Sequence, residues 1–161
     1  MSKIFLSVMK VEFKKGKDKD TLVCTRDDGT TTWMTTTAFF TVHDLAHFAI
    51  ETKMNFKQGF YGLLAHGMNI TDFENKQKFN PREMPAQAMH AEHLVNLLMT
   101  ELSDGNLIDD FQKNFDDACA RSGFASITFE PAKLEELRQE LSRLLSEWHT
   151  LPVGHSLLLK F

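Results

Sequence analysis

The chain has few of the residues that cross-link small proteins, and no apolar run long enough to span a membrane. Two cysteines, four prolines and one tyrosine occur among its 161 residues. Cys24 and Cys119 form no CxxC pair, which favours packed, reduced thiols over a disulfide framework. The opening residues, MSKIFLSVMKVEF, do not have the pattern of a signal peptide. The sequence therefore predicts a cytoplasmic protein with no membrane partner.

Basic residues are also scarce where a nucleic-acid interface would need them. The net charge is −4, from 22 acidic and 18 basic residues. One lysine cluster stands out, and its four members, interrupted by aspartates at a predicted turn, are Lys14, Lys15, Lys17 and Lys19. A solvated hairpin end explains this cluster better than a nucleic-acid site does. We therefore do not expect a nucleic-acid partner.

What the chain does contain is typical of one globular domain. Hydrophobic residues make up 42% of it, and they include 14 phenylalanines. A domain of this length can bury about two-thirds of the surface that its unfolded chain exposes. We expect a single domain over residues 1–161.

Three early segments have the β-branched and aromatic composition of strands, namely IFLSVMKVEF (4–13), TLVCTR (21–26) and TTTWMTTT (30–37). Asp28-Gly29 between the last two is typical of a tight hairpin turn. The lysine-rich run 15–20 supplies the other turn. These segments predict an antiparallel β-meander, and the closing SLLLKF predicts a fourth strand that joins it.

Helical periodicity begins after the third strand. Thr41 with Asp44 three positions later predicts a capping box and a helix from about Val42 to Met54. A short helix is predicted across GFYGLLAHG (59–67). Further helices are predicted at about 86–103 and 106–121, each with a glycine beyond its end, and from Pro131 onward.

The predicted fold is an α+β domain with the strands in one sheet and about four helices on one of its faces. In the last helix an apolar stripe recurs at alternating three- and four-residue spacing, through Leu134, Leu137, Leu141, Leu144 and Trp148. Core packing is the favoured interpretation of this stripe. A dimer seam is the alternative, so a homodimer through this helix or a sheet edge stays open.

Residues 67–85 form a predicted loop that is longer than most connections. A strap held over the core by Phe73 and Phe79 is the favoured interpretation. A lid or ligand-binding segment is the alternative.

The first helix carries the most chemically suggestive residues. His43, Asp44, His47 and Glu51 fall with Met54 in one sector of it, about 100° wide. Imidazoles four residues apart can bind one metal ion such as zinc, and a carboxylate one turn further can bind it or orient a ligand. We therefore predict His43, His47 and Glu51 as possible metal ligands. A hydrogen-bonded polar seam that serves folding alone is the alternative.

Two short resemblances bear on this helix. HDLAH is similar to the HExxH motif of zinc peptidases, with Asp44 where those enzymes have their glutamate base. The His43-Asp44 pair also resembles that of HD-type phosphohydrolases, but the predicted strands do not suit their helical domain. His90 falls on the apolar side of its helix, where a hydrogen-bonded core histidine is the favoured interpretation. If that helix faces the first one, His90 is the first choice for a third ligand.

Phe60 and Tyr61 lie between glycines in GFYG, an arrangement that allows another backbone to approach closely. They could form a pocket wall beside the histidines. A packing contact between two helices is the simpler interpretation.

Three longer segments together carry a family resemblance: FFTVHDLAHFAIE, GFYGLLAHG and WHTLPVGHSLLL. They resemble a family of small, uncharacterised bacterial proteins, which implies a bacterial source but no particular activity. Two functions follow as hypotheses. The first is a non-enzymatic binding or interaction domain for a ligand of unknown chemistry. The second is a metal-dependent hydrolase that uses His43, His47 and Glu51.

Overall fold

A four-stranded antiparallel sheet forms one layer of the protein, whose computed structural model describes residues 8–75, 77 and 80–161. The strands are β1 (Lys10–Lys14), β2 (Asp20–Thr25), β3 (Thr31–Thr36) and β4 (Ser156–Lys160). They lie in the order β3-β2-β1-β4, so the last strand pairs with β1 beside the meander. This confirms the predicted topology. The first part of the predicted strand 4–13 lies outside the described residues.

The register of the sheet places apolar side chains on the face that the helices cover. Phe13 lies opposite Leu22 on one side and Leu157 on the other. Phe13 and Leu22 are fully buried. Because side chains alternate along a strand, the other face carries residues such as Trp33, which is 61% exposed. One face therefore meets the core and the other faces outward.

Five α-helices occur in the described part of the chain, one at each of the five places where the sequence predicts a helix. They are α1 (Ala38–Lys53), α2 (Phe60–Ala65), α3 (Ala86–Asp104), α4 (Phe111–Ser122) and α5 (Pro131–Thr150). Helix α1 is central, because it packs against α2, α3, α5 and strand β2. Its polar side lies against α2 and α3.

The apolar stripe of α5 packs inside the chain. Its predicted members are 0–9% exposed, and they are Leu134, Leu137, Leu141, Leu144 and Trp148. At about 25 cal/mol per Å² of apolar surface, such burial is the main favourable term in folding. The core-packing interpretation is confirmed by their burial within one copy of the chain.

Helix α4 begins later than predicted. The expected start was Asn106, whereas the helix starts at Phe111 and Asp110 is its N-cap. The carboxylate of Glu101 accepts a hydrogen bond from the backbone amide of Ile108 at 3.0 Å. This contact holds the connection outside the helix, so the predicted start was wrong.

The long connection 67–85 contains two short 3₁₀ helices, Ile70–Glu74 and Pro81–Glu83. Phe73 is partly buried, and its ring centroid lies 5.0 Å from that of Phe60 in α2. Phe79, the other residue of the predicted strap, lies outside the described residues. The first half of the connection is therefore packed against the helical layer.

Candidate metal centre

Helix α1 begins four residues earlier than the sequence predicted. Its N-cap is Thr37, with an extended backbone, and not Thr41. The Thr41 hydroxyl lies inside the helix and donates to Oδ2 of Asp20 in β2 at 2.7 Å. The predicted capping box with Asp44 was therefore wrong. As a result His43 lies in the second turn of the helix, and capping does not account for Asp44.

Two imidazoles on α1 face one carboxylate on α3. Nε2 of His47 lies 3.1 Å from Oε2 of Glu92, and Nε2 of His43 lies 3.7 Å from Oε1 of the same residue. The two rings are one turn apart, with centroids 4.8 Å from each other. His47 is buried, whereas the Glu92 side chain is 43% exposed. The helix pair thus brings three potential ligands together at the edge of the core.

The far side of each imidazole faces a second carboxylate. Nδ1 of His47 lies 3.0 Å from Oε2 of Glu51, one turn further along α1. Nδ1 of His43 lies 3.5 Å from Oδ1 of Asp44. This second contact is too long or too bent for a hydrogen bond, and Nδ1 of His43 has no hydrogen-bond partner within the described residues. Each histidine therefore lies between two carboxylates. His47 is 3.0 and 3.1 Å from its two carboxylates, whereas His43 is 3.5 and 3.7 Å from its own.

Helix α2 holds the Glu51 carboxylate in place. Oε1 of Glu51 accepts from the backbone amide of Tyr61 at 2.9 Å. A side chain at Gly59 would put its Cβ 2.3 Å from that oxygen, so the close approach requires glycine here. The Tyr61 hydroxyl in turn donates to the backbone carbonyl of Asp44 at 2.8 Å. The GFYG segment is thus a packing contact that fixes the polar side of α1.

The contacts around His47 determine its protonation. Burial by itself lowers the pKa of His47, but its hydrogen bonds with Glu51 and Glu92 outweigh burial and raise that pKa to about 10. Burial by itself raises the pKa of Glu92, but its contacts with His43 and His47 lower that pKa by more, so the net pKa is below its usual value. Without a metal, both ring nitrogens of His47 carry protons, because each faces a carboxylate.

The three converging residues have a spacing close to that of a metal site. One ligand atom from each of His43, His47 and Glu92 lies within 4.8 Å of the others. Zinc bonds of about 2.0–2.2 Å put tetrahedral ligand atoms about 3.3–3.6 Å apart. The longest separation must therefore shorten by about 1 Å on binding. Glu92 is 43% exposed and already lies 3.1 and 3.7 Å from the two imidazoles, so its carboxylate has room to adjust when a metal binds.

The third ligand differs from the one that the sequence analysis favoured. His90 points away from α1, with Nε2 2.7 Å from the backbone oxygen of Ala125 and its ring against Phe56 and Phe115. Glu92 lies two residues further along α3, on the side that meets α1. Glu51 bonds Nδ1 of His47, behind the ring. His90 and Glu51 thus do not belong to the group of three.

A cavity of about 430 Å³ opens beside the three residues. It is lined by His43, Asp44, His47, Phe60, Phe73, Met84, Ala88, Met89 and Glu92. Its polar groups gather on one side, and the rest of the wall is apolar. Ligand pockets commonly combine an apolar wall with a few polar groups in this way.

A second cavity of about 330 Å³ adjoins the first on the β3 side of α1. The two share His43, Asp44, Phe60 and Phe73. Phe60 therefore lines the pocket, as one of the predictions for GFYG proposed, whereas Tyr61 is buried behind it. The connection 67–85 contributes Phe73 and Met84, so this loop forms part of the cavity wall.

Comparison of the chain with protein-family models, with curated proteins and with solved structures found no match. Within the described residues, none of the helices has both the length and the apolar composition needed to cross a lipid bilayer. The geometry of the site therefore carries the functional argument.

Proposed function

We propose that the protein binds one divalent transition-metal ion through His43, His47 and Glu92, and uses that ion to hold a small ligand in the adjacent cavity. One observation carries the proposal. Both imidazoles direct Nε2 at Glu92 and Nδ1 at another carboxylate. Metal-binding histidines usually donate their second N–H to a carboxylate, which fixes the tautomer that leaves Nε2 free for the metal.

A metal ion would offset the negative charge of the three carboxylates, Asp44, Glu51 and Glu92, that surround the two imidazoles. In the metal-free protein a proton on Nε2 of His47 forms the hydrogen bond that joins this nitrogen to Glu92. A divalent ion replaces this proton and bonds both groups, so that metal binding releases protons. When Nε2 of His43 binds the metal, the hydrogen of this ring is on Nδ1, where it can donate to Asp44 and shorten the 3.5 Å contact. Asp44 and Glu51 then hold the two imidazole rings in orientation.

Two imidazoles and one carboxylate leave coordination positions open. In zinc sites, two histidines and a glutamate leave room for water or substrate, and the same ligand types bind iron in open facial sites. Here His43, His47 and Glu92 all line the cavity, so a ligand in the cavity would be able to reach a metal held by them. Asp44 lines the cavity but faces Nδ1 of His43, which suits orientation of that ring. This favours ligand binding as the function.

A metal-dependent hydrolase is the second candidate. The ligand set favours it, because the same set supports water activation in zinc hydrolases. Asp44 would be the base, reaching a metal-bound water from the cavity wall. Zinc-loaded protein that hydrolyses short-chain aryl esters, and loses that activity in Asp44→Asn with its zinc retained, would favour the enzyme.

The metal site is tested by elemental analysis of protein purified without an affinity tag, followed by titration with zinc, manganese and nickel. We expect about one equivalent of bound metal and a higher melting temperature on titration. Glu92→Gln removes a charged ligand on the half-exposed side of the site, and it should lower metal affinity by about 100-fold or more. Glu83→Gln, an exposed change close to the start of α3, is the matched control and should bind metal like the parent.

Two results would contradict the proposal. One is less than about a tenth of an equivalent of any transition metal, together with no thermal shift at a metal excess of about 100-fold. The other is unchanged metal affinity in a folded Glu92→Gln variant. Either result would leave the cluster as a hydrogen-bonded polar seam between α1 and α3.

A further inference from the structure

The cavity beside the metal centre has an uneven distribution of polar and apolar groups. His43, His47, Asp44 and Glu92 lie on one side of it. The remaining lining residues are apolar: Phe60, Phe73, Met84, Ala88 and Met89. A ligand that fills this space therefore meets the metal at one end and carbon surface along the rest of its length. Such a ligand has one coordinating head and an apolar body.

The charge of the site limits what the head can be. A divalent ion with two neutral imidazoles and the Glu92 carboxylate forms a ligand shell of net charge +1, and the carboxylates of Asp44 and Glu51 add two negative charges behind the imidazoles. One singly charged anion makes the shell neutral, which suits an apolar surrounding. A doubly charged head such as a phosphate monoester would leave an uncompensated negative charge. Among the described residues that line this cavity there is no lysine or arginine to balance it.

The size of the cavity limits the body. Pockets of roughly 300–1,000 Å³ bind compounds of drug size, so a volume of about 430 Å³ suits a ring or chain of about eight carbons with its head. The adjoining cavity of about 330 Å³ is lined in part by Lys19, Glu74 and threonines of β3, so it suits an apolar body less well than the first cavity does. Acetate would reach the metal but would bury almost no apolar surface.

We infer that the ligand of this site is an apolar monocarboxylate, such as a medium-chain or aromatic acid, whose carboxylate completes the metal shell while its body fills the cavity. The inference rests on the metal site proposed above and names the class of compound that this site would hold. Ala88, one turn before Glu92 on α3, lies in the wall that the body would contact.

The test uses full-length protein loaded with cobalt(II), whose visible absorption reports changes in its coordination. Octanoate, acetate and octyl phosphate are titrated in turn, and calorimetry gives each affinity with zinc in place of cobalt. Since each buried methylene changes affinity by about fourfold, octanoate should bind at least about 30-fold more tightly than acetate. Octanoate should also change the cobalt spectrum and bind more tightly than octyl phosphate, although the alkyl chain of octyl phosphate is one carbon longer.

Ala88→Leu narrows the cavity without changing a proposed ligand. It should retain about one equivalent of metal and bind octanoate about tenfold more weakly than the parent, with acetate affinity unchanged. Ala86→Leu is the matched control, because Ala86 is exposed on the same helix and does not line the cavity. It should bind both acids like the parent. The comparison of octanoate with acetate in the parent protein does not depend on either variant.

The outcomes separate this inference from the metal site itself. If cobalt does not bind, the metal site is contradicted and the inference fails with it. If cobalt binds but octanoate is no better than acetate, or octyl phosphate binds more tightly, the metal site stands and the inference alone is overturned. Octanoate that binds without changing the cobalt spectrum would also overturn it, because its carboxylate would then not be on the metal.

Discussion

Helix α3 carries two acidic residues that face basic partners on other helices, and the two sites differ in how fully their polar atoms are used. Glu101 pairs with Arg138 on α5, through Oε2 to Nε at 2.9 Å and Oε1 to Nη2 at 2.6 Å. Its Oε1 also accepts from the amide of Ile108. Both oxygens are bonded, and the geometry matches the fork of a guanidinium.

The site at Glu92 is less complete. Its two oxygens face two different imidazoles at 3.1 and 3.7 Å, and Nδ1 of His43 has no hydrogen bond within the described residues. Folding alone would favour a buried cluster with every donor and acceptor paired. The polar atoms at Glu101 are thus fully paired, whereas the Glu92 site keeps one unpaired ring nitrogen among the described residues.

The largest effect should come from breaking the complete site. Glu101→Gln leaves the guanidinium of Arg138 without its charged partner. We expect a loss of about 3 kcal/mol in the free energy of unfolding, the lower end of the range for buried pairs because Arg138 is 20% exposed. Urea unfolding measures it. Glu135→Gln, which removes a 56% exposed carboxylate 3.9 Å from Arg138, should cost less than about 1 kcal/mol.

The metal affinity of the Glu101→Gln variant tests whether the two sites on α3 are independent. It should equal that of the parent, because Glu101 lies more than two turns of α3 away from Glu92. A large loss of metal binding in this variant, with the fold intact, would remove the distinction between the two sites.

A smaller effect is expected at the orienting carboxylate. In Glu51→Gln the new amide oxygen can still accept from Tyr61, but the amide NH₂ faces Nδ1 of His47 and favours the tautomer with the proton on Nε2. That proton lies where the metal would bind. We expect metal affinity to fall by about 10- to 100-fold, measured by competition with a coloured chelator. Asp44→Asn should cost less, because its contact with His43 is 3.5 Å long.

The last expected effect is a pH dependence of the stability of the metal-free protein. The fold raises the pKa of His47 from 6.5 to about 10, so it favours the protonated ring. The resulting stabilisation is complete below about pH 6.5 and is lost as the pH rises towards about 10. Glu51, Glu92 and His43 are the titratable groups that face this ring.

Urea unfolding across this pH range, in the presence of a chelator, tests the dependence. Glu92→Gln removes one of the two carboxylates that hold the proton, so its stability should fall less steeply than that of the parent. The pair at Glu101 should not contribute, because Arg138 has its pKa raised and stays charged throughout. Parallel curves for the parent and Glu92→Gln would show that Glu92 does not hold the proton on His47.

Much of the fold could be predicted from local patterns. The hairpin after β2 follows from Asp28-Gly29, and Gly29 has the positive φ, 82°, that the turn requires. Helix α3 ends where Gly105 adopts a left-handed conformation. The apolar stripe on α5 predicts both the presence of the helix and the side of it that is buried. Each of these depends on residues within a few positions of one another.

Features that depend on distant residues were predicted less well. Thr41 has the side chain of an N-cap, but Asp20 from β2 binds its hydroxyl and the helix begins at Thr37. Similarly, Glu101 from α3 holds the amide of Ile108 and delays the start of α4. In both cases a contact from another element replaced the local hydrogen bond that the sequence pattern predicts.

That His43 and His47 share one side of a helix follows from the order of residues alone, because residues four apart in a helix lie about one turn apart. The same order places Asp44 and Glu51 beside them. The role of Glu92 depends on how the helices pack. The rotation of α3 about its own axis sets which of its side chains face α1. His90 and Glu92 point in different directions, and the packing of α3 between α1 and α4 turns His90 towards α4 and Glu92 towards the two imidazoles.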